Sequence, residues 1–248
     1  MTRVSQVTRV GIIGARGVGA IHAAVLQTLP GVEVTMIAGS GPATAAAAAR
    51  RLGVRRWTAD AVELVTDPEI DAVHVCTPND QHFDVVRLSI AAGKHVLCEK
   101  PLTLVPAHAD LLAAAAEQHE AITTVAYNYR YSPLVPRLQR LIADGRLGSL
   151  HTIRAGYLQN WALDRVHSWR SDPAQGGRSR VLNDIGVHLI DLVEFVSGTR
   201  LERLDTTFTA LDGLAPGATM SPSRPHSVPT VWRCRSWPPR SPPAVRTH

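Results

Sequence analysis

The chain has 248 residues, 45% of them hydrophobic and 19% charged, a globular composition that excludes fibrous and wholly disordered architectures and suffices for one large domain or two smaller ones. No run approaches 18 consecutive apolar residues, and Met1 to Gln6 lacks the charged-then-apolar pattern of a secretory signal, so a cytoplasmic protein with no membrane role is expected. The net charge of +5 does not mark a nucleic-acid partner, because five of the 26 basic residues (Arg224, Arg233, Arg235, Arg240, Arg246) lie in 221–248 and the other 21 balance the 21 acids.

In chain order, Val7 to Ile13 reads as a strand, followed by a glycine-rich turn and a helix from Ala20 to Leu29 that Pro30-Gly31 closes. Val32 to Ala38 reads as a second strand and Ala43 to Leu52 as an alanine-rich helix stopped by Gly53. A strand over Ala72 to Cys76, a helix over Gln81 to Ala92 and a strand over Lys94 to Cys98 follow. This alternation predicts an α/β doubly wound parallel sheet that binds ligands at the strands' carboxyl ends. A helix near Ala107 to His119 and a strand near Ile122 to Tyr127 complete a first domain, 1–127. Beyond it the pattern loosens: a helix over Pro133 to Asp144, a strand over Thr152 to Asn160, a polar loop over Ala162 to Arg180, a helix over Asn183 to Val196 and a strand over Leu201 to Ala210 are expected.

Gly11, Gly14, Gly17 and Gly19 lie where the chain must turn tightly and let a pyrophosphate approach the unpaired N–H groups of a helix start. A strict G-x-G-x-x-G from Gly14 requires glycine at 16, where Arg16 stands, so the match is imperfect, and an ordinary tight turn is the alternative. Gly14, Ala15, Arg16, Val18 and Gly19 are the cofactor-binding candidates here, with Arg16 able either to bind phosphates or to crowd them. The second strand ends Ile37-Ala38-Gly39-Ser40-Gly41, without the acid that would accept from a ribose 2′-OH. Ser40 can donate to a 2′-phosphate, so the cofactor, NAD or NADP, leans toward NADP. Cys76, Cys98 and Cys234 form no C-x-x-C pair, and no set of His, Cys and acids has metal-ligand spacing, so buried thiols and no metal are expected. His74, His95 and His119 read as structural or solvated.

The segment Asp71-Ala-Val-His-Val-Cys-Thr-Pro-Asn-Asp-Gln-His82, with Ala92-Gly-Lys-His-Val-Leu-Cys-Glu-Lys-Pro101, closely resembles the Gfo/Idh/MocA oxidoreductase family, whose hallmark Glu-Lys-Pro stands here as Glu99-Lys100-Pro101. Gly14 to His22, Trp169-Arg170, Gly176-Gly177 and Asn183-Asp-Ile-Gly-Val-His188-Leu-Ile-Asp191 resemble it too, over about 7–209 in all. The resemblance implies a Rossmann domain and an α+β second domain with a mostly antiparallel sheet that also offers a surface for a homo-oligomer. It implies hydride transfer between a nicotinamide and a hydroxyl or carbonyl of a sugar, cyclic polyol or related compound. Thr77, Pro78 and Asn79, with His82, Glu99 and Lys100, would then lie on the cofactor side, and Arg130 and Trp161 would approach substrate.

Such chemistry needs a group that moves the hydroxyl proton and a cation for the alkoxide. Lys100 suits the second role, and it is one of two lysines beside 24 arginines. His188 suits the first, since an imidazole ordinarily titrates at about 6.5. Asp184, four residues earlier, would share a helix face with it and orient the ring or touch a substrate hydroxyl. The plainer alternatives are a surface charge for Lys100, a helix cap for Asp184 and a satisfied core residue for His188.

Family members are usually longer. From Ser221, 28 residues hold seven prolines and no acid, and proline cannot donate to a sheet ladder. The second domain, 128–220, is therefore read as incomplete and 221–248 as an irregular tail, either a frameshift product or natural disorder. A non-catalytic dinucleotide-binding regulator and an inactive truncated remnant remain the rival readings.

Overall fold

The computed structural model describes residues 7–157, 169–177 and 181–206. The chain forms two compact units, Met1–Tyr127 with His167–Asp184, and Asn128–Val166 with Ile185–His248.

In the first unit the β-branched runs become strands buried on both faces, as parallel sheets require. β1 (Thr8–Ile13), β2 (Val32–Ala38), β3 (Arg56–Thr58), β4 (Ala72–Val75), β5 (His95–Cys98) and β6 (Thr123–Val125) make one parallel sheet in the order β3-β2-β1-β4-β5-β6. The connecting helices are α1 (Val18–Leu26), α2 (Pro42–Leu52), α3 (Ala61–Thr66), α4 (His82–Ala91) and α5 (Pro106–Gln118). α2 shows the local logic: Pro42 presets the first helical turn, alanines propagate it, and left-handed Gly53 ends it. α1 and α2 bury Ala23, Leu26 and Ala48 against Val10, Ile12 and Val34 on one face. On the other, Leu64, Val86, Ile90 and Leu112 of α3, α4 and α5 pack on Ile13, Val73, Val75 and Val96.

This is the doubly wound order in which the winding direction reverses between β1 and β4. The carboxyl ends of those strands, where the Gly14 turn and Thr77-Pro78-Asn79 begin, bound the crevice the fold uses for ligands. β3 and α3 have no counterpart in the sequence reading, because the three residues of β3, which begin at Arg56 beside Arg55, are too few to show a strand period. The Asp60-x-x-Glu63 spacing was the available signal: Asp60 caps α3 by accepting from the Val62 N–H at 2.8 Å.

The first unit also contains a helical turn at Trp169–Ser171 and α7 (Pro173–Gly176), capped by Asp172, within the stretch expected to be a polar loop. In the second unit α6 (Leu134–Ala143) packs with α8 (Val187–Ser197), and Gln139 Nε2 donates to the Phe195 carbonyl at 3.1 Å. The expected strands 152–160 and 201–210 are not formed where described: 152–157 and 201–206 are irregular, and the remainder of each lies outside the described residues. Among the described residues no helix is long and apolar enough to cross a membrane. The 221–248 tail and Cys234 lie outside them.

Candidate active site

The glycine turn is built as a cradle. Gly14, at φ +91, lies so near β4 that a Cβ there would stand 2.4 Å from the Cys76 carbonyl oxygen. Gly19 lies on the Gly14 carbonyl, and Gly17, at φ +52, faces open space. Ala15 is buried and its carbonyl accepts from Arg51 Nη2 at 3.2 Å, while Val18 packs into the core and Arg16 is exposed. Among the described residues no side chain caps the first N–H groups of α1. Across the crevice the Thr77 hydroxyl is buried and without a hydrogen-bond partner. An open glycine turn, uncapped N–H groups and an orphaned hydroxyl together fit a dinucleotide phosphate and ribose. Ser40 is exposed past β2, 3.4 Å from the Thr44 hydroxyl. A cavity of about 380 Å³ opens at the opposite, amino edge beside Arg9, Thr35 and Arg56, away from these residues.

The chain after β4 is fixed from below. His82 is fully buried, its Nδ1 2.7 Å from the Pro101 carbonyl and its Nε2 3.0 Å from that of Thr77. Burial pushes its pKa below the ordinary value against the pull of both carbonyls; the ring lies between the end of β4 and the Glu99-Lys100-Pro101 turn, a neutral ring donating to one carbonyl at a time and a protonated one to both. Asn79 is buried and donates to the Gly176 carbonyl at 3.1 Å, beside Asn183 Nδ2 at 3.2 Å. Pro78 is half-buried between Thr77 and Asn79.

Lys100 and Asp184 meet in the first unit. Lys100 Nζ donates to Asp184 Oδ1 and to the Asp184 carbonyl, each at 2.7 Å, and Arg170 Nε lies 3.7 Å from the same carboxylate oxygen. The side chains are only 13% and 18% exposed, so the ammonium is held in place rather than waving in solvent. The α-helical spacing expected for Asp184 and His188 is corrected by a π-helical turn over Leu182–Gly186, which changes which side chains stack. Neither residue is an N-cap.

In the second unit His188 is buried and stacks on Tyr129 at 4.4 Å between ring centroids; the Tyr129 hydroxyl donates to that of Tyr157 at 2.7 Å. Arg130, expected to approach substrate, forms a two-point ion pair with buried Asp191, Nε donating to Oδ2 at 2.7 Å, and its guanidinium lies over Phe195. Trp161 lies outside the described residues. Among the described residues no group of three or more His, Cys, Asp or Glu is arranged to hold a metal.

Sequence reasoning missed a cluster beneath the glycine turn: His22 of α1 with His74 of β4, Cys76 just after β4 and Glu99 after β5. The period-2 spacing of His74 and Cys76 places them on one strand face, and only the fold brings His22 to them. Burial, and then the charge of His22, hold the His74 pKa at about 4, against 6.5 ordinarily. The unfolded chain thus takes up a proton at this ring as pH falls through 6.5, and the folded chain only near 4. Stability from the neutral ring is complete above 6.5 and is lost between these values, by about 3 kcal/mol. Urea unfolding at pH 7 and pH 4.5 is expected to record that loss, and His74→Asn to reduce it.

Residues 8–127 match the model of the oxidoreductase family with the NAD-binding Rossmann fold, and 135–219 that of the GFO/IDH/MocA C-terminal domain. The chain is 33% identical over 203 residues to the levoglucosan dehydrogenase of Pseudarthrobacter phenanthrenivorans, covering 78% of this chain and 52% of that protein. It is 31% identical over 189 residues to the glucose-6-phosphate 3-dehydrogenase of Bacillus subtilis, covering 76% and 53%. A solved structure of levoglucosan dehydrogenase in complex with NADH and levoglucosan aligns at a TM-score of 0.78 and 30% identity, over 82% of this chain and 57% of that one. The chain spans about half the length of the curated relatives it matches. With both family models matched in order and the Rossmann sheet, glycine cradle and Glu-Lys-Pro turn in place, the chain belongs to the GFO/IDH/MocA oxidoreductase family.

Proposed function

We propose that the chain works as an NAD(P)-dependent oxidoreductase on a CH–OH group of a sugar, cyclic polyol or related compound. The observation that carries this reading is Lys100 Nζ, held at 2.7 Å by two oxygens of Asp184 just beyond β5, at the carboxyl edge that also bears the glycine cradle. Gly14, Ala15, Arg16, Val18 and Gly19 would hold the pyrophosphate, and Thr77, Pro78 and Asn79 the nicotinamide ribose. Bound there, the nicotinamide supplies or accepts the hydride.

The chain's own residues handle the proton and the charge. Lys100 stabilises the alkoxide with its ammonium, Asp184 keeps that ammonium aimed, and His188 is the general acid or base. Arg130, steadied by Asp191, and Trp161 complete the proposed substrate contacts. The Ser40-Gly41 end of β2 offers hydroxyls and no carboxylate, which favours NADP over NAD. The same reading makes the protein a cytoplasmic one that forms homo-oligomers through an antiparallel sheet of its second domain. The relatives named for levoglucosan, glucose 6-phosphate and inositol support this substrate class.

Titration with NADH and NADPH, followed by nicotinamide fluorescence, tests the first half of the reading. Saturable binding is expected, tighter for NADPH, and those three compounds, screened with the oxidised cofactors, are expected to include a substrate. Absence of binding by either cofactor overturns the reading. Binding without turnover of any sugar or polyol moves it to the dinucleotide-binding regulator.

A further inference from the structure

We propose that His22 is a positioning residue for Lys100, acting through the carboxylate of Glu99; the inference rests on the reading of Lys100 given above. His22 lies one turn into α1, the helix that opens the glycine cradle. Its Nε2 is 3.3 Å from Glu99 Oε1, and the two side chains are 15% and 14% exposed. The other carboxylate oxygen, Oε2, accepts the backbone N–H of Lys100 at 3.2 Å. Both oxygens of Glu99 are thus engaged by the protein, one by α1 and one by the lysine's own main chain.

The ring of His22 is held on its far side as well. Its Nδ1 is 3.1 Å from Nδ1 of His74 and 3.6 Å from Cys76 Sγ, and the two imidazoles meet edge to face at 5.2 Å. For Nε2 of a neutral His22 to donate to Glu99, its Nδ1 must accept, and the hydrogen between the two facing Nδ1 atoms then belongs to His74. The ring therefore cannot swing away from the carboxylate without breaking contacts to β4. On the other flank of Lys100, His82 holds the Pro101 carbonyl. Glu99-Lys100-Pro101 is in this way clamped before and after the lysine, and the first clamp reaches back to the helix that would carry the pyrophosphate.

Without His22, Glu99 becomes a largely buried carboxylate lacking its side-chain donor, and it gains most by turning toward solvent and releasing the Lys100 N–H. Displacing a reacting group by about 1 Å costs up to about 10²-fold in rate, so the effect should fall on kcat and leave KM in place.

The chain's two lysines make a direct test possible. In lysine-selective ¹³C labelling of the full chain, Lys94 and Lys100 give two Cε signals, which Lys100→Met assigns. Lys94 is buried with Nζ on the carbonyls of Asp67 and Ile70 at 2.8 and 2.7 Å, and it reports whether the fold is intact. His22→Leu and Glu99→Gln are expected to move the Lys100 signal and leave Lys94 in place. His22→Gln, whose amide can donate to Glu99, is expected to bring the signal back toward wild type. In turnover His22→Leu should lose about tenfold or more in kcat at unchanged KM, most of it recovered in His22→Gln. If His22→Leu moves Lys94 too, the fold has failed and the Gln variants decide. An unmoved Lys100 signal in folded His22→Leu and Glu99→Gln overturns the proposal. A chain that binds cofactor yet turns over no sugar or polyol refutes the oxidoreductase reading instead, and the lysine spectrum still decides on His22.

Discussion

Lys100→Met is expected to lower turnover by roughly 10³-fold while NADH and NADPH affinities stay within a few-fold of wild type. Methionine keeps the length of the stem and removes the ammonium, so the change isolates the charge. The loss follows from geometry: Nζ is the group that Asp184 holds by carboxylate and carbonyl, and an alkoxide forming beside it has no equivalent cation from the same turn. Affinity should survive because the cradle residues and the Thr77 hydroxyl do not touch Lys100's head group. Stability should fall only modestly, since Asp184 retains Arg170 at 3.7 Å and is partly exposed. Steady-state kinetics, cofactor titration and a thermal melt on one preparation check all three. Wild-type turnover in a folded Lys100→Met variant removes the residue from the chemistry.

Asp184→Asn separates positioning from charge. It keeps the carbonyl contact to Nζ and replaces the carboxylate with an amide that can still accept, so a smaller loss than in Lys100→Met is expected. The two losses should not add, because both act through one ammonium.

The parts legible in the sequence are those that local pattern determines. The Gly14 to Gly19 turn, the Thr77-Pro78-Asn79 strand end and the Glu99-Lys100-Pro101 turn each follow a short, Val-containing apolar stretch that reads as a strand, and the parallel sheet follows from the alternation of such stretches with helices. β3 was invisible because three residues cannot show a period, although Asp60 and Glu63 mark the helix after it. The π-helical turn at 182–186 was invisible for another reason: one extra residue per turn leaves the apolar pattern almost unchanged while it redirects Asp184. Arg130 illustrates a third limit. Its position in the chain suggests a substrate contact, yet what its guanidinium meets is decided by Asp191, 61 residues away. His22, His74, Cys76 and Glu99 come from three segments, and no spacing rule links them.

The second large effect sets two glycines of the same turn against each other. Gly19→Ala is expected to destabilise the first unit by about 3 kcal/mol or more and to cut dinucleotide affinity over about 10²-fold. The helical backbone at 19 would accept alanine, but its Cβ would lie 2.0 Å from the Gly14 carbonyl oxygen and 3.1 Å from Cys76 Cβ. The obstructing atom is backbone, itself pinned because the Gly14 N–H donates to Ala38 at 2.9 Å, so relief requires prying α1 from β4 and opening the cradle. Gly17 presents the opposite case. Nothing lies within 4 Å of a Cβ there, and the cost is conformational: φ +52 with ψ −116 lies outside the left-handed helical well, in a region kept for glycine, about 1–3 kcal/mol for alanine with no relief from asparagine. Gly17→Ala should therefore lose less stability than Gly19→Ala, and, with the phosphates placed in the open space over Gly17, it should still lose affinity. Urea unfolding paired with NADH titration distinguishes the two, one variant losing affinity with a large loss of stability and the other losing affinity at a smaller cost in stability. A Gly19→Ala chain of wild-type stability would mean that the turn opens at little cost and that its close packing is not what shapes the cradle.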